Sequence, residues 1–206
     1  MTKKLLITLS ILTLFASCGT RRTAVQIQDP TTFDEGVVIN GIRWATRNVD
    51  MPGTFAETPE SFGMLFQWNR RKVWNAVDRY VEGWDNTPTE GTTWYAENDP
   101  CPEGWRVPTI EEFETLENIE SEWTTRNGVY GRYFGTYPTV LFMPAVRIRH
   151  PYDSALLSAI TTNSWFWSSS LGNADRAWGF WFSHRSIDAF DGHRAGGLPI
   201  RCVKIN

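Results

Sequence analysis

The chain has 206 residues, 41% of them hydrophobic, and a formal charge of −3, which is one domain's worth of sequence with enough apolar surface for a proper core. A mildly acidic balance excludes the basic footprint that phosphate binding needs, so nucleic acid is not an expected partner. The 11 tryptophans are spread from Trp44 to Trp181 rather than bunched, which assigns most of them to a core with polar seams and leaves a few for ligand platforms.

Lys3 and Lys4 supply a positive start, Leu5 to Ala16 an apolar run, and Ala16-Ser17 the small residues of a cleavage site. The run is about a dozen residues, too short to span a bilayer as a helix. Phe15-Ala16-Ser17-Cys18 resembles a bacterial lipobox, so residues 1–17 are expected to be a signal peptide and Cys18 the lipidated new N-terminus. Acyl chains on Cys18 would hold the protein at a membrane. The leader carries Lys3 and Lys4 and no acid, so cleavage takes the formal charge from −3 to −5. Residues 18–35 are polar, without apolar periodicity, and read as a tether to a domain over 36–206.

Within that domain, Val37-Val38-Ile39, Asn40-Gly41 and Ile42-Arg43-Trp44 predict a hairpin with a type I′ turn. Phe62 to Trp68 fits strand alternation and helical spacing equally. Thr109 and Glu112 form a Thr-x-x-Glu capping box behind Pro108, and Ile110, Phe113, Leu116 and Ile119 recur as a buried stripe, predicting a helix of about three turns. From Tyr130 onward the pattern changes to strands at 139–143, 165–168, 176–182 and 198–203. In the third of these Trp178, Phe180 and Phe182 share the packed face, with Trp181 opposite. The order predicts an α+β fold with antiparallel sheets, long loops and one or two helices.

Cys101-Pro102-Glu103-Gly104-Trp105-Arg106-Val107-Pro108-Thr109, with Asn40-Gly41-Ile42-Arg43-Trp44-Ala45-Thr46-Arg47-Asn48-Val49, Phe66-Gln67-Trp68-Asn69-Arg70, Trp167-Ser168-Ser169 and Ile200-Arg201-Cys202-Val203-Lys204, resembles the Fibrobacter succinogenes major paralogous domain over about residues 37 to 204. That family is common in surface lipoproteins of gut and oral Bacteroidetes. The resemblance implies a C-type-lectin-like fold related to the formylglycine-generating enzymes, with paired N- and C-terminal strands and loops that present a variable face. Adhesion or ligand recognition is the function it suggests, in an outer-membrane lipoprotein of the cell envelope whose surface exposure is left open.

The mature domain keeps only Cys101 and Cys202, which in an oxidising compartment read as a disulfide, against a pair of buried free thiols. Arg106 to Phe113 is similar to a segment of the formylglycine-generating oxidases, but those enzymes use two neighbouring late cysteines for copper and only Cys202 lies in that region. No catalytic residue, metal or cofactor is therefore expected. His150, His184 and His193 are too irregularly spaced for zinc, and Asp188-x-x-Asp191-Gly192, Asn173-x-Asp175 and Asp85-Asn86 are ordinary turn chemistry before they are calcium ligands. A hydrolase on scattered carboxylates such as Glu111 and Asp188 has no positive support. Between Trp165 and Arg194 the residues Trp181, His184, Arg185, Asp188, Phe190, Asp191, His193 and Arg194 mix aromatic and charged groups, the expected ligand patch for a glycan or a host or bacterial surface protein. The alternative is a structural subunit of a fimbria or other surface assembly.

Overall fold

The computed structural model describes residues 29–157 and 162–205. The leader, Cys18 and the tether up to residue 28 lie outside the described residues. In chain order the elements are β1 (Val37–Ile39), β2 (Ile42–Asn48), β3 (Leu65–Phe66), β4 (Val73–Trp74), β5 (Trp105–Arg106), α1 (Ile110–Glu114), β6 (Ser121–Arg126), β7 (Val129–Phe134), β8 (Leu141–Pro144), β9 (Ile148–Arg149), β10 (Leu156–Leu157), β11 (Asn163–Leu171), β12 (Arg176–Ser183), β13 (Ile187–His193) and β14 (Arg201–Lys204). Every strand pairing is antiparallel, in sheets ordered β1-β2-β14-β5, β6-β7-β8 and β11-β12-β13 with two small ribbons, β3-β4 and β9-β10. The molecule is thus a set of antiparallel sheets with very little helix, more strongly β than the expected α+β balance.

The first hairpin forms as its sequence predicts: Ile39 pairs with Ile42 across Asn40 and Gly41, whose φ of 49° and 81° are the left-handed pair of a type I′ turn. The last strand β14 then inserts between β2 and β5, joining the two ends of the domain in one sheet. Packing begins before the expected boundary at residue 36. Asp34 is buried and accepts hydrogen bonds from Thr46, Gly36 and Arg47, and Phe55 N–H donates to the Thr31 carbonyl. The ambiguous segment at 62–68 becomes the short strand β3, its last four residues buried because both its faces meet the core.

Helix α1 starts where the capping box requires. Thr109 Oγ1 accepts from Glu112 N–H, and the Glu112 carboxylate accepts from Thr109 N–H at 2.8 Å. Its length differs from the expected three turns, because regular helix ends at Glu114. Thr115 Oγ1 donates to the Glu112 carbonyl and the chain continues as turns, which still bury Leu116 and half-bury Ile119 in the core. The hydrophobic stripe was therefore a stripe of packing rather than of helix.

Two clusters fill the interior, one on each face of β11-β12-β13. Trp44, Phe113, Leu116, Phe134, Phe166, Phe180 and Phe182 lie in the first, with Phe113 stacked on Phe180 at 4.8 Å. Phe55, Phe66, Trp68, Trp105, Trp167, Ala177 and Ile200 lie in the second, together with Cys101 and Cys202. Those two cysteines form the disulfide. The seams are polar as the tryptophan count implied: Trp68 Nε1 donates to the Ser168 carbonyl and Trp167 Nε1 to the Phe66 carbonyl, both at 2.9 Å. Trp178 departs from its expected packed face. It faces Asp191 across the sheet, beside the Arg176–Asp191 ion pair, and is 38% exposed because on its face, unlike that of the adjacent Ala177, the neighbour is polar.

Candidate functional site

The expected patch between Trp165 and Arg194 divides, because Asp188, Phe190, Asp191 and His193 fall on one strand, β13, and alternate between its faces. Arg194 is buried and holds loops together, donating to the carbonyls of Thr89, Gly91, Asn173 and Arg176 while its guanidinium lies 4.7 Å over the Trp68 ring. Asp191 pairs with Arg176 at 2.9 Å. Phe190 stacks on Trp167 at 6.0 Å, lying over Gly179. His193 accepts from Ala195 N–H and packs against Tyr152. Burial, opposed by Asp175 and aided by Arg176, holds the His193 imidazole below its ordinary pKa. These four are occupied by internal contacts, and ligand contact through them is not what their positions favour.

The other four remain outward. Trp181 is half-buried, joins neither core cluster, and stands between Trp165 and Asp188 in one cross-strand row. His184 and Arg185 are exposed in the β12–β13 turn, with the His184 ring edge-on to Trp123 at 6.4 Å. His184 thus sits by Trp123, which also meets Phe182, on the side of the sheet opposite to Trp181, so the four do not form one surface.

A recessed site lies elsewhere, on the outer face of β6-β7-β8. The second Asn-Gly pair of the chain, Asn127-Gly128, turns β6 into β7 with φ of 48° and 81°, and the register sets Glu122 opposite Tyr133 and Tyr133 opposite Phe142. Phe142 is 2% exposed beneath them, its ring 5.0 Å from that of Tyr133 and 5.9 Å from the Arg126 guanidinium. Gly135 N–H donates to the Glu120 carbonyl, and a turn closed by Thr139 N–H on the Thr136 carbonyl projects Tyr137 into solvent at 90% exposure. The result is a groove of about 660 Å³ lined by Glu120, Glu122, Arg126, Tyr133, Tyr137 and Val140 among others.

Arg126 forms one end of this groove and is ion-paired to Glu60 at 2.5 Å, while Asn127 Nδ2 donates to the same carboxylate at 2.9 Å. Burial alone would raise the Glu60 carboxyl, but its own N–H, the Thr58 hydroxyl and Arg126 outweigh it and hold the group below its ordinary pKa. The pair is therefore a fixed, ionised post. Sequence reasoning missed the groove. Its signals were Asn127-Gly128, the turn chemistry of Asn40-Gly41 repeated, and the tyrosines at 133 and 137. The weak alternation of Ser121 to Arg126, with Trp123 its only large apolar residue, concealed the first strand.

Other chemistry finds little geometry. Cys202 is tied to Cys101, so no thiol among the described residues is free. Among the described residues no three His, Cys, Asp or Glu side chains converge as a metal set, and Asp85 is engaged by Thr87 and by Arg70 at 2.8 Å. No described helix is long and apolar enough to cross a membrane. No family model, curated protein or solved structure matches this chain.

Proposed function

We propose that the chain is a lipid-anchored extracytoplasmic recognition or adhesion module of C-type-lectin-like fold, held by Cys18 and binding a glycan or protein ligand in the tyrosine groove rather than turning over a substrate. The observation that carries this reading is Tyr137, an aromatic ring 90% exposed at the rim of a recess whose other tyrosine is braced from below by Phe142. An exposed ring at the rim of a recess offers apolar area that a ligand seated there would cover. Aromatic faces with a polar rim are the surface that sugars and protein epitopes use. The ordered motifs of the family resemblance and the pairing of β2 with β14 support the fold reading. The Trp165–Trp181–Asp188 row offers a second contact face on the same module.

One experiment with three arms tests this. Wild type, Tyr133→Ala/Tyr137→Ala and Cys18→Ser chains are compared for membrane fractionation and for binding to an array of glycans and surface proteins. The tyrosine variant should keep its fold and lose about tenfold or more in binding, and Cys18→Ser should leave the membrane fraction without losing binding. Undiminished binding by the tyrosine variant removes the groove; membrane retention of Cys18→Ser removes the anchor.

A further inference from the structure

The geometry points to a cationic partner for the tyrosine groove: an extended peptide segment that presents lysine or arginine side chains. This inference rests on the groove being the binding site and adds the class of ligand it takes.

The argument is one of charge that is already spent and charge that is not. Arg126 is the one cation among the groove-lining residues, and Glu60, 6% exposed, neutralises it from behind at 2.5 Å. Arg132, on the neighbouring strand, points to the opposite face, where it donates to Ser121 Oγ and the Ser183 carbonyl. Glu120 and Glu122 are exposed, and among the described residues neither carboxylate has a hydrogen-bond or ion-pair partner. Two uncompensated negative charges therefore remain on the wall of a recess.

The rings supply the second half of the match. Tyr133 sits directly opposite Glu122 in the β6–β7 register, and Tyr137 rises from the β7–β8 turn on the same groove. An ammonium or guanidinium group gains from a carboxylate and from the negative face of an aromatic ring together, and its alkyl stem covers the rest of the ring. An anionic or phosphorylated ligand would meet Glu120 and Glu122 with nothing to offset them. A neutral sugar would use the tyrosines but leave both carboxylates unmatched in charge. A volume of about 660 Å³ that is open at the surface suits several residues of extended chain rather than a single small ion.

The test is calorimetric titration of the full chain with a hexalysine peptide, the same peptide acetylated at every Nε, and a neutral hexasaccharide, at low and at physiological salt. Hexalysine should bind, and bind more weakly as salt rises, whereas the acetylated peptide should bind far less. Glu120→Gln/Glu122→Gln should weaken it about tenfold and Tyr137→Ala roughly threefold, whereas Glu111→Gln/Glu114→Gln, on the exposed side of α1, should leave it unchanged. Equal loss in the helix variant would show general attraction to an acidic protein and overturn the proposal. So would equal binding of the acetylated peptide, or no binding of hexalysine. Hexasaccharide binding that Tyr137→Ala weakens and Glu120→Gln/Glu122→Gln does not would overturn the cationic class while upholding the groove as the site.

Discussion

Several arginines of this chain work inward. Arg149 is fully buried and donates to the carbonyls of Asn75, Asp78 and Ser154, and Arg194 does the same for loops around Thr89 and Asn173. A planar fork of five donors can satisfy several loop carbonyls at once, which is why arginine and not lysine fills such positions. Arg201 is the costly member of the set: burial pushes its guanidinium down to about 9, and only its Nη1 finds a partner, the Ala45 carbonyl at 3.0 Å. Glu112 shows the opposite balance. Burial alone would raise its carboxyl, but the two hydrogen bonds from Arg106, at 2.8 and 2.6 Å, and one from Thr109 N–H hold it below its ordinary pKa. A depressed folded-state pKa stabilises above the unfolded value near 4.5, and that stability is lost as pH falls through the folded value. Glu112→Gln should therefore cost about 1 kcal/mol at pH 7 and show a smaller fall in Tm between pH 7 and pH 3 than wild type. Parallel pH profiles for the two proteins would contradict the assignment.

At the scale of elements, strand β12 is the most constrained. It runs between two partners and is packed on both faces, so its smallest residue marks its tightest point. A Cβ on Gly179 would come within 2.5 Å of the Phe166 carbonyl oxygen and closer still to the Phe190 ring. Neither neighbour has room to retreat, since Phe166 is backbone of a paired strand and Phe190 rests on Trp167. Gly179→Ala should cost about 3 kcal/mol in urea unfolding; a loss under about 0.5 kcal/mol would mean that Phe190 is not seated as described. The two hairpins with Asn-Gly turns are local by contrast. Each could be read from its own residues, and only the stronger alternation around the first made it visible.

For the whole molecule, the decisive link joins late chain to early chain. β14 is placed between β2 and β5, and Cys202 within it is bonded to Cys101, 101 residues earlier. Constraining so long a loop in the unfolded state contributes up to about 4.7 kcal/mol by the chain-entropy estimate. Reduction, or Cys202→Ser, should lower Tm by at least several degrees while the reduced protein keeps its sheets; an unchanged Tm would mean that the bridge is not formed in solution. Sequence alone determined what short-range physics can specify, the first hairpin, the cap at Thr109 and the strands β8, β11, β12 and β14, and cysteine arithmetic added the pairing of Cys101 with Cys202. Only the tertiary structure decided which side chains are free to meet a ligand. Phe190, Asp191, His193 and Arg194 look available in a linear reading, yet long-range packing against Trp167, Arg176, Tyr152 and Trp68 commits them inward. The groove arises the same way, because Glu122, Tyr133 and Tyr137 become neighbours only once β6, β7 and the following turn are folded together.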